Sequence, residues 1–358
     1  MKQKKTLIIC NSKNSDLVQY FKCKVEAIYR NNNQKNFLFF KNSNIILKRK
    51  NVYNSSYTDS SFFDKRVPLD FLRSFYLLAV ILSNNVKIVH FTTAHISNLF
   101  LSFFLKCFKV KQIFTIHDLV PHPGGKSMLI NLYNKVVINF LSDEIISFSK
   151  KEIKKQEKKE KFIYFPLSGF HQYINKPKNG ERTILFFGRI EPYKGINNLI
   201  DLIRNVEKKG IDYKFIIAGK GNIENLEELK KFKSLEIINR FIDDDELSEL
   251  FEKATFTILP YDSATQSGVT ILSYAYATPV IAYDVGSLGE YIDNEKNGYL
   301  VNYQDNDKII DILTKVSDTE IKQLSHTIIN EFNNKFSVNA CQELYYSYYM
   351  NKMENKND

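Results

Sequence analysis

The sequence predicts an α/β protein with two parallel-sheet domains. Short apolar runs of strand length alternate with amphipathic helical stretches along the chain, which is typical of parallel sheets covered by helices. The length of 358 residues suggests two domains rather than one. In the second half the apolar runs end in glycine or in polar turns, so their loops should gather at one sheet edge, where such folds bind ligands.

In the first half, six strand-like runs are separated by helical stretches. Strands are predicted at 6–10, 36–40, 86–91, 110–116, 144–148 and 162–165. Helices are predicted at 69–83, 96–108, 126–141 and 149–161. The last of these carries seven lysines and three glutamates, which we interpret as a solvated helix face with i,i+4 pairs.

The second half is more regular, and its pattern sets the predicted domain boundaries. Strands are predicted at 184–187, 213–218, 235–241, 256–260 and 279–283, and helices after the first strand and at 225–232, 244–254, 267–277 and 288–293. We expect an N-terminal domain over 1–170, a linker over 171–180 and a second domain over 181–335. A tyrosine-rich helix over 336–358 is expected to cross back onto the first domain.

The composition is that of an ordinary globular protein, with 44% hydrophobic and 25% charged residues. No apolar run approaches the roughly 18–20 residues of a spanning helix. The first residues, MKQKKTLIIC, lack the longer apolar core of a signal peptide. Four scattered cysteines show no metal-binding spacing and suggest reduced thiols. We therefore expect a cytoplasmic protein.

Charge is unevenly distributed along the chain. Residues 1–165 hold 28 Lys and Arg against 11 Asp and Glu, whereas the remainder is mildly acidic. A basic half could face an anionic membrane, such as the inner face of the plasma membrane, or a phosphorylated acceptor. It could equally be a solvated lysine-rich surface. Nucleic acid is disfavoured as a partner because no binding motif accompanies the charge.

Two cations follow the first strand of the second half and form the strongest local signal. Gly188 at the strand end would let the backbone approach a ligand, and Arg189 could form a forked contact with phosphate oxygens while Lys194 acts as a point charge. The competing interpretation is an ordinary surface turn before a helix. The later motifs of this half favour the diphosphate site.

The segment ATQSGV at 264–269 lies at a predicted helix start. Backbone amides of Ser267, Gly268 and Val269 would face an anion or a sugar hydroxyl, and Gln266 could hydrogen-bond hydroxyls. On spacing alone, a simple serine N-cap is the favoured interpretation.

The acidic run at 243–245 resembles a metal site, but the sequence FIDDDELSELF favours a helix N-cap followed by acidic residues in the first turn. We predict no metal site.

Polar residues also follow strands in the first half. His117 and Asp118 come directly after the predicted strand at 110–116, where chemistry sits in α/β domains. His90 and His95 flank another strand end, and Asn11 follows the first strand. Each histidine taken alone is more often structural than a ligand contact.

These motifs resemble the retaining nucleotide-sugar glycosyltransferases of family 4, which have the GT-B fold of two Rossmann-like domains facing a cleft. The similarity is greatest from about Arg182 to Val316. It implies that Arg189 and Lys194 bind the donor diphosphate and that His117 lies near the donor sugar. The stretch NRFIDDDEL resembles the family segment whose backbone contacts the base, which implies Phe241 and Ile242.

Two features depart from the family pattern. The usual pair of glutamates is absent, since Ala264 and Leu272 occupy those positions, and the chain instead resembles a branch with S-x-Q-S-G-V. The Gly-Gly turn after the first strand is replaced by a polar segment that begins at Asn11. Gln266 and the following amides would then hold the sugar, and Asn11, His90, His95 and Asp118 are the acceptor-side candidates.

The resemblance implies a metal-independent hexosyltransferase without a cofactor. Its donor would be a nucleotide-diphosphate sugar, by default a UDP-sugar, and its acceptor a saccharide or lipid-linked saccharide of a surface polysaccharide. The alternative, suggested by the missing glutamates, is a catalytically inactive partner or chaperone subunit of another glycosyltransferase.

Overall fold

A computed structural model describes residues 5–354 except 13–14, 42–44, 55–66, 120–126, 172, 174–175, 179–181, 224–228 and 265. The chain forms two compact units, one of Met1–Gly169 with Val338–Asp358 and one of Phe170–Ser337. Each unit is built on one parallel sheet with helices packed on it. This confirms the predicted α/β class with two Rossmann-like sheets.

The first unit contains a seven-stranded sheet with the order β3-β2-β1-β4-β5-β6-β7. Its strands are β1 (Lys5–Cys10), β2 (Phe37–Lys41), β3 (Val52–Asn54), β4 (Val86–Phe91), β5 (Lys111–Ile116), β6 (Glu144–Ser147) and β7 (Phe162–Tyr164). Its helices are α1 (Ser15–Arg30), α2 (Val67–Ser83), α3 (Ile96–Cys107), α4 (Ser127–Val136, continued by a π-turn over Val137–Leu141) and α5 (Lys150–Lys154). The last helix of the chain, Val338–Glu354, packs on α1 within this unit.

The second unit contains a six-stranded sheet with the order β10-β9-β8-β11-β12-β13. Its strands are β8 (Thr183–Phe187), β9 (Lys214–Ala218), β10 (Leu235–Ile238), β11 (Phe256–Leu259), β12 (Val280–Tyr283) and β13 (Gly298–Val301). Its helices are α6 (Ile196–Lys208), α7 (Asp244–Lys253), α8 (Gly268–Ala275), α9 (Asn306–Lys315) and α10 (Asp318–Glu331). The C-terminal helix of the first unit is therefore α11.

Helix α6 illustrates how the apolar pattern of the second unit is used. Ile196, Leu199, Ile203 and Val206 are buried at helical spacing, so one face of the helix packs in the core. The helix ends before Gly210, whose φ of 68° is the left-handed conformation that glycine adopts without a side-chain clash.

The predicted helix over 149–161 is wrong in its length. Only Lys150–Lys154 is helical, and a short 3-10 turn at Lys159–Lys161 precedes β7. Lysines repeat at i,i+4 spacing through this segment, and such like-charge pairs destabilise a helix. Sequence analysis also missed the edge strand β3. Residues 225–228 of the predicted helix at 225–232, and parts of the predicted linker, lie outside the described residues.

No helix among the described residues has both the length and the apolar character needed to cross a membrane.

Candidate functional site

The strand order of the second unit identifies where a ligand should bind. Strand β8 lies between β9 and β11. The chain continues from β8 to β9 on one side and from β11 to β12 on the other, so the connections that follow these two adjacent strands run in opposite directions. Parallel sheets bind ligands in the crevice at the carboxyl ends of two such strands. The loops that follow β8 and β11 therefore form the candidate site. They contain Gly188, Arg189 and Lys194 and lead into the predicted 264–269 segment, which ends in the first turn of α8.

Gly188 is the floor of this site. Its φ of 116° is strained for any other residue, and a Cβ built on it would lie 2.8 Å from the Nζ atom of Lys194 and 3.6 Å from the Cγ2 atom of Val269. Glycine at this position therefore leaves open the space between the lysine ammonium and the first turn of α8. We call this space, bounded by Gly188, Lys194 and Val269, the anion cradle.

Lys194 is buried at the edge of the cradle, where its side chain is 8% exposed. It ends a 3-10 turn that begins at Pro192, and its Nζ atom lies 5.7 Å from the ring centroid of Tyr261. Burial lowers the pKa of Lys194 to about 8, and the neighbouring charge of Arg189 contributes in the same direction. The nearby carboxylate of Glu191 raises this pKa, but by less than burial and Arg189 lower it.

Arg189 differs from Lys194 in being exposed and already paired. Its guanidinium lies 3.0 Å from a carboxylate oxygen of Glu191, and its side chain is 79% exposed. An exposed ion pair of this kind contributes at most about 1 kcal/mol, so an incoming diphosphate can replace the carboxylate at little cost. Glu191 was not among the predicted site residues, although a carboxylate two residues after Arg189 in the sequence is a possible partner for the guanidinium.

The start of α8 adds backbone donors to the cradle. Ser267 caps the helix by accepting a hydrogen bond from the backbone amide of Thr270, as the N-cap interpretation expects. Among the residues that the structure describes, none is hydrogen-bonded to the buried side-chain oxygens of Gln266 and Thr270. Buried polar atoms are normally hydrogen-bonded, so these two oxygens are candidates for hydrogen bonds to a bound ligand.

The loops of the second sheet are linked in order along its carboxyl edge. The amide of Ile190 donates to the carbonyl of Lys220, and the amide of Gly221 donates to the side chain of Asn239. Two residues further on, Phe241 is 80% exposed, whereas Ile242 is buried. An aromatic ring left this exposed beside the cradle loops suits stacking of a nucleotide base.

The acidic run 243–245 starts α7. The Asp243 side chain accepts a hydrogen bond from the amide of Glu246, which confirms the N-cap interpretation. Among the described residues, no group of three or more His, Cys, Asp or Glu side chains is arranged to hold a metal ion.

In the first unit the equivalent crevice lies between β1 and β4, since β1 is flanked by β2 and β4. Asn11 is held there by two hydrogen bonds. Its backbone N–H donates to the hydroxyl of Thr93, and its side-chain Nδ2 donates to the Oδ1 atom of Asn98. His95 is the N-cap of α3, because its Nδ1 atom accepts from the amide of Ser97. These two acceptor-side candidates therefore lie at the carboxyl edge of the first sheet, and Asp118 follows β5 at the same edge.

His117 follows β5 at the same edge and is half-buried. Its Nε2 atom lies 3.3 Å from the carbonyl oxygen of Thr92, and its ring packs on Phe148. Burial lowers the pKa of His117 to about 4. The neighbouring Asp118 raises this pKa, whereas the buried ammonium of Lys24 lowers it, and both effects are smaller than that of burial. The imidazole is therefore neutral at physiological pH and can offer a hydrogen bond without carrying charge.

His90 is the candidate that the structure removes from the acceptor side. It is fully buried inside β4, its Nδ1 atom is hydrogen-bonded to Tyr349, and its Nε2 atom is hydrogen-bonded to Thr115. A side chain with no exposed atoms and both nitrogens engaged has no means of contacting an acceptor. The prediction of a contact for His90 is wrong because β4 is a central strand of a parallel sheet, in which every residue from Ile88 to Phe91 is buried.

Lys24 on α1 is a buried lysine, 1% exposed, that no sequence motif indicates. Its Nζ atom lies 4.2 Å from the ring centroid of Tyr345 and 4.7 Å from that of Tyr20. Burial lowers the pKa of Lys24 to about 8. Helical spacing alone cannot distinguish a buried lysine from an exposed one, since its burial depends on the packing of α11.

Comparison with known proteins finds one family model that matches most of the second unit and curated relatives that match part of the chain. Residues 181–318 match the sequence model of the family described as "Glycosyl transferases group 1". An uncharacterized glycosyltransferase of Methanocaldococcus jannaschii is 32% identical over 162 residues, which cover 44% of each chain. The amylovoran biosynthesis glycosyltransferase AmsD of Erwinia amylovora is 29% identical over 129 residues, or 36% of each chain. The matched segments thus span less than half of either relative.

Solved structures resemble the chain over nearly its whole length. Sucrose-phosphate synthase from Thermosynechococcus elongatus matches with a TM-score of 0.73 at 14% identity, covering 98% of this chain and 99% of that one. Anabaena HepE in complex with UDP matches with a TM-score of 0.69 at 12% identity, covering 97% and 100%. The whole chain thus shares the fold of these proteins, and residues 181–318, which include the anion cradle, match the group 1 glycosyl transferase family.

Proposed function

We propose that the protein is a glycosyltransferase that moves a hexose from a nucleotide-diphosphate sugar to a saccharide or lipid-linked saccharide, with retention and without a metal. The observation that carries the proposal is the anion cradle. A buried ammonium, an open glycine floor and a helix N-terminus meet at the sheet edge within the segment that matches the transferase family. UDP is the proposed nucleotide, since HepE was solved with it.

Glycosyl transfer requires compensation of charge on the leaving group. As the bond between the anomeric carbon and the diphosphate oxygen breaks, its electrons pass to the diphosphate, while positive charge develops on the sugar ring. Once the donor has displaced Glu191 from Arg189, the side chains of Lys194 and Arg189 and the amides at the start of α8 would stabilise the departing diphosphate. The loss of one such donor typically lowers a rate by about 10²–10³-fold. The acceptor hydroxyl would bond to the anomeric carbon on the same face and give its proton to the departing diphosphate.

The other predicted residues receive roles in keeping with their chemistry. Phe241 would stack on the base, while Gln266 would accept a hydrogen bond from a sugar hydroxyl through its unpartnered oxygen. In the first unit, neutral His117 would hydrogen-bond a sugar hydroxyl. Asn11, His95 and Asp118 would contact the acceptor.

We propose that the acceptor is an intermediate of surface polysaccharide biosynthesis and that the transfer takes place at the cytoplasmic face of an anionic membrane. Two observations support this assignment. The name of the AmsD relative refers to biosynthesis of a polysaccharide, and residues 1–165 carry 28 cationic against 11 acidic side chains.

The test compares nucleotide binding and turnover in matched variants. UDP should raise the melting temperature of the wild type, and Arg189→Gln and Lys194→Gln should each remove most of that increase. Arg204→Gln is the control, since Arg204 is also exposed and paired with a carboxylate, at 2.6 Å from Asp201. Equal protection by UDP in all four proteins would reject the site.

Turnover separates the enzyme from the alternative of an inactive partner subunit. A panel of nucleotide sugars, incubated with the protein and a lipid extract, should release UDP from at least one donor. UDP protection without any turnover on the panel would favour the inactive partner.

A further inference from the structure

The outer surface of one helical layer in the first unit is apolar. Helices α2, α3 and α4 connect strands that advance in the same direction across the sheet, so right-handed crossovers place them on one side. Their inner residues share one core with the strands, including Leu77 of α2, Leu101 of α3 and Val137 after α4. In addition, α2 packs against α3, and α3 packs against Val137–Leu141. Their outer sides are therefore contiguous.

That outer side, which we call the outer helical face, exposes large apolar side chains on every helix. Exposed fractions are 66% for Leu72, 49% for Phe75 and 61% for Tyr76 on α2, 63% for Phe103 on α3, and 59% for Leu132 on α4, with 73% for Phe140 just after it. Between α2 and α3 the rings form a cluster, with centroids of Phe75 and Phe104 5.6 Å apart. Contiguous exposed apolar surface of this kind marks an interaction site.

Cations accompany the apolar residues. The exposed lysines Lys109 and Lys135 lie at the ends of α3 and α4, and Lys158 donates to the carbonyl of Asn139 beside Phe140. The sequences of α3 and of Ser127–Leu141 contain no acidic residue. Two copies of such a face would bring like charges together, which disfavours self-association. An anionic surface would be attracted by them.

We infer that the outer helical face is the surface on which the protein lies against anionic phospholipid. Aromatic and aliphatic side chains would enter the boundary between headgroups and acyl chains, and the lysines would contact lipid phosphates. The inference deepens the membrane part of the proposed function by naming the surface, and it does not depend on catalysis.

The test is flotation of the full chain with vesicles at low salt. The wild type should float with phosphatidylcholine containing phosphatidylglycerol and not with phosphatidylcholine alone. The triple variant Leu72→Ser, Phe103→Ser, Phe140→Ser should bind at least about tenfold less. Ile46→Ser is the control, because Ile46 is 81% exposed in the first unit but lies outside these helices, and it should float like the wild type.

A second variant tests the charge. Lys109→Gln with Lys135→Gln should weaken partitioning about thirtyfold, which corresponds to about 2 kcal/mol for two cations near an anionic surface. All substituted side chains are exposed, and thermal melts with and without UDP should match the wild type. Retained UDP protection also separates failure of this inference from failure of the proposed function.

Three results would overturn the inference. The wild type could remain unbound to either vesicle type, or the triple variant could float as well as the wild type. Alternatively, sedimentation could reveal a wild-type dimer that the triple variant loses while flotation is unchanged, in which case a second copy covers the face.

Discussion

The low pKa of Lys194 predicts an unusual pH dependence of nucleotide binding. In the free protein the ammonium titrates at about 8, because it is buried and lies near Arg189. A bound diphosphate would keep it charged, since an adjacent anion favours the protonated form. Binding above pH 8 must therefore take up a proton.

The magnitude follows from the fraction of charged Lys194. About nine tenths of the free protein carries the charge at pH 7 and about one tenth at pH 9, so the Kd for UDP should rise about tenfold between these values. By pH 10 the increase should reach about a hundredfold. Arg189→Gln removes a charge that lowers the pKa of Lys194, so the onset of the rise should move to higher pH.

Isothermal titration of UDP in two buffers with different ionisation enthalpies measures the effect. At pH 9 the wild type should take up close to one proton for each UDP bound, and Lys194→Gln should take up none. A Kd that is constant from pH 7 to 9.5, or a rise that persists in Lys194→Gln, would refute the reasoning.

Three further predictions concern single residues. Gly188→Ala should weaken UDP binding about tenfold or more, because the added Cβ would fill the cradle. Gly210→Ala is the control: Gly210 also has a positive φ, but a Cβ built on it meets no atom within 4 Å, so the affinity for UDP measured by calorimetry should be unchanged. Lys24→Met should stabilise the protein by up to about 3 kcal/mol at pH 7. The wild type bears the cost of a buried charge below pH 8 and loses that cost as the pH rises towards 10.5, which denaturation measured at several pH values checks. Because the charge of Lys24 lowers the pKa of His117, NMR titration of the variant should find a higher pKa for His117. Phe241→Ala should lower UDP affinity by about 1–3 kcal/mol without changing the melting temperature, because the ring is exposed.

The fold was largely predictable because its core strands are short apolar runs bounded by glycine or polar turns. Strand β8 is an example: four of its five residues are buried, and Gly188 follows at once. The edge strand β3 was not predictable, since Val52–Asn54 has no buried residue and little apolar pattern. The predicted length of the helix over 149–161 was wrong because the lysine and glutamate content indicated only a solvated surface. The prediction did not take into account the repulsion between lysines at i,i+4 spacing.

The site was predictable only where neighbours in sequence are neighbours in space. Gly188 and Lys194 are six residues apart, and a single turn joins them. His90 could not be distinguished from a ligand contact, because its partners Thr115 and Tyr349 come from distant segments. The burial of Lys24 likewise depends on Tyr345, more than three hundred residues away in the chain.

The most direct test of the central claim is a crystal structure of the protein with UDP. The account predicts diphosphate oxygens within about 3 Å of the Nζ atom of Lys194 and of the amides at the start of α8, with Glu191 displaced from Arg189. A nucleotide bound elsewhere, with the cradle unchanged and Arg189 still paired to Glu191, would contradict it.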